Sequence, residues 1–391
     1  MADMPRTTKG RNDKSKGSLS HPLRIAHIMG KMMAGGVEAT VMNYYRNINK
    51  AEIQFDFIID EDSTVVPRDE IKNLGGRVIE VPPYRRPLAY RRALIRLFHK
   101  NEYHIVHSHL NALSVFPLSA AKRAGVPVRI AHNHSTAGKG DTKRNIMKYM
   151  LRPFSRVFPT HFCACTEHAG RWLFGNKLFD AGKVKVVHNA IDLTAFKFDA
   201  QARKSLRAEL GISDKLVAGH VGRFMTQKNH TFLVDVFAKV HSKNPNSVLL
   251  LVGEGELESQ IRNKIARLNL VDAVRFIGVR DDVYKFLSGM DILLFPSLYE
   301  GLGMAVIEAQ AAGLHVIASD RVPPEAKLTE KLEFLSLDSP SAAEEWATKV
   351  PELPLYRRDI SPADAEKIAG YDITAAAAKL ESFYKRISNM H

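Results

Sequence analysis

Short apolar runs recur along this chain, each closed by glycine, serine, histidine or proline and separated by longer amphipathic stretches. The first set comprises Leu23-Arg-Ile-Ala-His-Ile, Phe55-Asp-Phe-Ile-Ile, Arg77-Val-Ile-Glu-Val, His104-Ile-Val-His-Ser, Val128-Arg-Ile-Ala-His and His161-Phe-Cys-Ala-Cys. A second set begins at Lys215-Leu-Val-Ala-Gly-His-Val. It continues with Ser247-Val-Leu-Leu-Leu-Val-Gly, Val274-Arg-Phe-Ile-Gly, Asp291-Ile-Leu-Leu-Phe, His315-Val-Ile-Ala-Ser and Glu333-Phe-Leu-Ser-Leu. Runs this short, rich in β-branched residues and glycine-bounded, predict buried strands. The segments between them, such as 37–45, 229–240 and 256–268, carry helical periodicity. Strands alternating with helices predict parallel sheets.

A chain of 391 residues is too long for one ordinary core. The two series therefore predict an α/β protein of two doubly wound, Rossmann-like domains, residues 21–195 and 196–370, facing each other across a cleft. The join lies near Val187-His-Asn-Ala-Ile-Asp192, and residues 371–391 predict a terminal helix capped by Asp372 or Thr374.

Charge divides the halves. Residues 1–200 hold 32 Lys and Arg against 17 Asp and Glu, a balance of +15, whereas 201–391 hold 24 against 25. Residues 1–20 are polar and basic with no apolar stretch, which predicts a disordered tail and excludes a secretory signal. The densest basic cluster, Pro83-Tyr-Arg85-Arg86 through Arg91-Arg92 to Arg96, predicts an amphipathic helix whose basic side suits anionic headgroups or nucleic acid, or else is simply a solvated face. No run reaches the ~18–20 apolar residues of a membrane span. The two cysteines, Cys163 and Cys165, sit one residue apart in an apolar run and read as strand packing in a reducing compartment.

The candidate chemistry lies at strand exits. Asp291–Pro296 predicts a strand, Ser297–Gly303 a loop and Met304–Ala312 a helix. Glu300 then sits on the loop and Glu308 about a turn into the helix, both able to face a crevice at the carboxyl end of the sheet. Two carboxylates there suit a ligand rich in hydroxyls. The free amides of Leu302, Gly303 and Met304 suit its oxygens or phosphates. Val221-Gly222-Arg223-Phe-Met-Thr-Gln-Lys228 follows another strand, and this arginine and lysine fit a diphosphate, although spacing alone equally allows a pair of surface cations. Gly253-Glu254-Gly255 reads as a simple turn, and Gly278-Val279-Arg280 as an exit whose backbone could read a base edge. His104, His107, His109, His132 and His134 cluster at two strand ends. They lack the Glu or Cys that would complete a familiar zinc spacing, so no metal is expected.

Arg223 and Lys228 followed by Glu300-x7-Glu308 resemble the retaining GT-B nucleotide-sugar glycosyltransferases of the glycogen-synthase-like group. Gly35-Gly36-Val-Glu38, His107-Ser-His109, His188–Asp192 and Ser319–Glu325 are similar to the branch that builds capsule and exopolysaccharide. The resemblance spans about residues 22–388. It implies a hexosyltransferase moving sugar, with retention, from a nucleotide sugar (UDP-linked by expectation) to a glycan or lipid-diphosphate acceptor. Arg223 and Lys228 would hold the diphosphate and Glu308 the ribose. Glu300 would meet the transferred sugar beside the backbone of Gly301, Leu302, Gly303 and Met304. Gly35 and Gly36 would approach the phosphates from the acceptor-side domain. His134, or else His132 or His109, would stand near the reacting centre, and the last helix would cross back to the first domain. No cofactor, metal or nucleic acid is implied. The expected setting is cytoplasmic, with peripheral attachment to the anionic inner membrane surface. The family's interdomain motif carries glycine where this chain has Ala190. Two other readings are a nucleotide-sugar epimerase on the same fold and a polyanion-binding protein without activity. The second lacks interleaved aromatics and leaves Glu300 and Glu308 unexplained.

Overall fold

A computed structural model describes residues 22–33, 35–135, 142–353 and 358–389, so the basic tail read at 1–20 lies outside the described residues. Strands β1 (Leu23–Gly30), β2 (Ile53–Asp60), β3 (Arg77–Val81), β4 (Ile105–Ser108), β5 (Val128–Asn133), β6 (His161–Ala164) and β7 (Val184–Val186) form one sheet in the order β3-β2-β1-β4-β5-β6-β7. Strands β8 (Leu216–Val221), β9 (Ser247–Val252), β10 (Val274–Gly278), β11 (Ile292–Phe295), β12 (His315–Ser319) and β13 (Leu332–Leu335) form a second, ordered β10-β9-β8-β11-β12-β13. Every ladder in both sheets is parallel. The continuous apolar runs follow from this, because each sheet is covered by helices on both faces and a strand such as β2 is buried along its whole length.

In the first sheet one face packs Tyr45, Phe55 and Phe57 against the terminal helix Ile373–Ser388, and the other packs Ile58 and Val106 against Tyr90, Leu94 and Phe98. In the second, Leu250 and Leu293 meet Val306 and Ile307 on one face, while Leu249 and Ile292 meet Phe237 and Trp346 on the other. Strand order reverses between β1 and β4 and between β8 and β11. At such switch points the connections diverge to opposite faces and leave a crevice at the strands' carboxyl ends.

The chain passes between the domains twice, and the two passages are bonded together. Ile191 N–H donates to the Tyr371 carbonyl at 2.9 Å, and Ile373 N–H to the Ile191 carbonyl at 3.0 Å. Tyr44 OH donates to the His188 carbonyl at 2.7 Å, fixing the first passage to the helix Gly36–Asn47. Ala190 is buried and does not adopt positive φ, so this turn does not require glycine.

The terminal helix is capped by Asp372, whose carboxylate accepts from Thr374 N–H at 3.3 Å. Helix Pro87–Asn101 buries Tyr90, Leu94 and Phe98 and exposes Arg91, Arg92 and Arg96, the amphipathic division read from the basic cluster. Cys163 and Cys165 are buried and unpaired, and burial pushes both thiols up to about 12. Strand β7 goes unpredicted: three residues with Lys185 at the centre and Lys183 just before carry too little apolar signal.

Candidate functional site

The second sheet's switch point brings Lys228, Glu300 and Glu308 together. Lys228 ends a short turn after β8, and Glu300 lies on the loop after the neighbouring β11. Lys228 Nζ is 2.7 Å from Glu300 Oε1, with both side chains largely withdrawn from solvent. The same ammonium lies 4.6 Å from the centroid of Phe295, over the ring. The two loops are also bonded through their backbones. Leu298 N–H donates to the Gln227 carbonyl at 2.8 Å, and Gln227 Nε2 donates to the Tyr299 carbonyl at 2.8 Å.

Gly303 takes φ +86°, a left-handed conformation that turns the loop into the helix Met304–Ala311. Among the described residues, the N–H groups of Gly301, Leu302, Gly303 and Met304 donate to nothing, so the helix start presents donors to the crevice. Glu308 sits in the second turn of that helix. Burial pushes its carboxyl up to about 7, and the nearby Lys228 charge draws it back. Lys228, Glu300 and Glu308 therefore form one electrostatic group.

Arg223 stands apart from that group. It is exposed at the β8 exit and has no ion pair among the described residues. Its loop is held by Phe224 N–H donating to the Glu254 carbonyl at 3.0 Å and by Leu257 N–H donating to the Phe224 carbonyl at 3.0 Å. The 253–255 turn thus serves as the scaffold for Arg223. At the exit of β10, Val279, Arg280, Asp281, Asp282 and Tyr284 line an open pocket of ≈ 370 Å³.

The first domain meets this group at Gly301. A Cβ there would lie 2.1 Å from the His134 carbonyl oxygen, so only glycine allows the Glu300 loop to approach the end of β5 so closely. Besides that close approach, a hydrogen bond spans the crevice: His168 N–H, at the start of helix Glu167–Phe174, donates to Glu325 Oε1 at 3.1 Å. Gly35 and Gly36 occupy the β1 exit at the first sheet's switch point, where Gly35 caps the helix Gly36–Asn47. Glu38 folds back over this loop, its Oε1 accepting from Met33 N–H at 3.1 Å.

Among the three candidate histidines, His134 is the one whose backbone reaches the second domain, through its carbonyl at Gly301, while its ring is buried. Its N–H donates to Asn111 Oδ1 at 2.6 Å, and its Nε2 is 2.9 Å from His109 Nδ1. His109 Nε2 in turn lies 2.9 Å from His27 Nδ1. His132 stacks behind His134, with ring centroids 4.0 Å apart, and is hydrogen-bonded to His107 at 3.1 Å; His107 meets Tyr384 OH at 2.7 Å. Burial drives all five imidazoles below their ordinary range, His27 to about 3 and His134 to about 4, so they are neutral at physiological pH.

Two triads, His27–His107–His109 and His109–His132–His134, have ring nitrogens close enough to hold a metal. Most of those nitrogens already bond to one another, and among the described residues no thiolate or carboxylate joins them to neutralise a buried dication. The network reads as packing and positioning.

Sequence reasoning missed His27, Asn111, Gln227 and Phe295, and took Glu325 only as the end of the Ser319–Glu325 motif, without a partner. His27 is a lone histidine in an apolar strand, and only the β1–β4 register sets it opposite His107. Asn111 carries one local signal, a positive φ of 54° of the kind asparagine tolerates.

Known proteins share this two-domain fold. The family Glycosyltransferase Family 4 matches residues 34–195, and Glycosyl transferases group 1 matches residues 202–354. The putative glycosyltransferase EpsF of Bacillus subtilis is 34% identical over 376 residues, covering 92% of this chain and 96% of that protein. The UDP-Gal:alpha-D-GlcNAc-diphosphoundecaprenol alpha-1,3-galactosyltransferase of Escherichia coli is 27% identical over 312 residues, covering 76% and 79%. Among solved structures, Anabaena HepE in complex with UDP and glucose superposes with a TM-score of 0.76 at 18% identity, over 93% of this chain and 100% of that one.

Proposed function

Since this chain belongs to the GT-B glycosyltransferases of the capsule and exopolysaccharide type, we propose that it transfers a hexosyl unit from a UDP-sugar to a glycan acceptor carried on a lipid diphosphate. Transfer proceeds with retention of anomeric configuration. The observation that carries this reading is the Lys228–Glu300 pair at 2.7 Å, with Glu308 beside it, opposite His134 across the crevice.

The donor lies on the second domain, residues 196–370, and the acceptor enters from the first, residues 21–195. Cleaving the sugar–diphosphate bond builds negative charge on the leaving diphosphate and positive charge on the sugar. Lys228, Arg223 and the N–H groups of 301–304 stabilise the former, and removing one such group in a dry site costs ~3–4 kcal/mol in barrier. Glu308 accepts the ribose hydroxyls, and the 279–284 pocket takes the base. Glu300 orients the hydroxyls of the transferred sugar and holds Lys228 in place. Gly35 and Gly36 bring the first domain's backbone near the phosphates.

His134 caps the sugar as a neutral imidazole, and its carbonyl packed on Gly301 keeps water from the reacting carbon. The acceptor hydroxyl attacks on the leaving-group face, its proton passing to the departing diphosphate, so no metal or cofactor is needed. Lipid-linked acceptors are named for the Escherichia coli relative and for a Campylobacter jejuni relative, which supports peripheral attachment at a membrane surface.

The test is a screen of UDP-sugars for transfer, with the product anomer read by NMR. Glu300→Gln and Lys228→Ala are expected to lower kcat about 10²–10³-fold with the fold intact. Near-parent rates in both, or donor isomerisation without transfer, would overturn the reading.

A further inference from the structure

The first domain carries an apolar surface that the crevice does not use. Ile146 (55% exposed), Tyr149 (54%), Met150 (69%), Phe154 (54%) and Val157 (54%) stand in solvent within one short stretch. Ile146, Tyr149 and Met150 recur at i, i+3 and i+4 of the helix Thr142–Leu151 and so share one face. Phe154 and Val157 follow on the 3₁₀ turn Arg152–Arg156 and just beyond it. Isolated apolar residues on a surface need no explanation, but five exposed ones between positions 146 and 157 mark a contact.

Its chemistry narrows the occupant. Residues 142–166 hold five Lys and Arg and no Asp or Glu. The Arg152 guanidinium lies over Trp172, 5.7 Å from the ring centroid, and the Tyr149 ring is 6.1 Å from the same indole. Cations around an aromatic and aliphatic face match the boundary between anionic headgroups and acyl chains. A second copy of this chain would set like charges against each other across a self-complementary patch. A nucleic acid would leave the apolar face unmatched. The position also fits: this helix follows β5 and His134, and it packs on the 3₁₀ turn Asn111–Ser114 that holds the His134 backbone.

We propose that residues 146–157 form the surface by which this protein lies on an anionic bilayer, bringing the crevice to a lipid-anchored acceptor. The proposal rests on the acceptor reading above and goes beyond it by naming the face that touches lipid.

The test is co-sedimentation of the full chain with phosphatidylglycerol–phosphatidylcholine vesicles, against pure phosphatidylcholine, at low and high salt. Two variants are compared: Tyr149→Ser/Met150→Ser/Phe154→Ser, and Arg156→Glu. Both alter exposed side chains, and thermal stabilisation by UDP reports that the crevice is intact. The parent is expected to bind the anionic vesicles only. The triple variant should bind roughly tenfold or more weakly at both salts, and Arg156→Glu should lose binding mainly at low salt. Parent-like binding by the triple variant, no binding by the parent, or a parent dimer that the triple variant dissolves would each overturn the proposal. If UDP fails to stabilise the parent, the donor-site reading falls instead.

Discussion

Glu308 couples position to charge. A carboxyl raised to about 7 is largely protonated below neutrality and ionised above it. The ionised form is the better acceptor for two ribose hydroxyls, so UDP binding should strengthen as pH rises from 6 to 8. Glu308→Gln should lose that part of the pH dependence, measured by calorimetry at each pH; identical profiles would remove Glu308 from the ribose site. Gly301 acts by having no side chain. Gly301→Ala puts a methyl group against the His134 carbonyl, forcing the Glu300 loop away from the first domain. A misplacement of this size can cost about 10²-fold, and turnover should fall by that order while thermal stability changes little. Unchanged turnover would mean that this approach plays no part in catalysis.

At the scale of elements, the histidine layer on β1, β4 and β5 ties the first domain's stability to pH. His27 and His134 titrate near 3 and 4 in the folded chain, against 6.5 when unfolded. The unfolded state therefore binds more protons, and stability should be full above about pH 6.5 and decline as pH falls toward 4. A melting temperature flat between pH 7.5 and 5 would contradict a buried neutral network. The terminal helix belongs to the same core through Ala377, Leu380 and Tyr384. Leu380→Ala should cost ~2–5 kcal/mol in chemical denaturation. The alternation of strands and helices, the capping Asp372 and the strand exits bearing Arg223, Lys228, Glu300 and Glu308 were legible because apolar periodicity and glycine placement are local signals. The partners of those residues were not. Phe295 beneath Lys228, His27 opposite His107 and the Glu325–His168 bond arise from register and domain placement, which no local pattern encodes. Sequence reasoning set Arg223 and Lys228 together as equals. The structure pairs Lys228 with Glu300 and leaves Arg223 exposed, because Arg223 sits at the strand exit while Lys228 lies a turn further on, against the β11 loop.

The molecule as a whole is two switch-point crevices brought face to face, with basic charge concentrated in the half that carries the exposed apolar surface. The proposed mechanism draws on fixed charges and helix-start amides, so transfer should survive EDTA; loss restored by a divalent cation would reassign the histidine triads. The central claim is that Lys228 and Glu308 grip one nucleotide while His134 faces the sugar beyond it. UDP titration by calorimetry against the parent, Lys228→Ala, Glu308→Gln and His134→Ala tests this most directly. The account predicts roughly tenfold or weaker UDP binding in the first two variants and parent-like binding in the third, whose defect should appear only in turnover. Parent-like UDP affinity in Lys228→Ala and Glu308→Gln would contradict it.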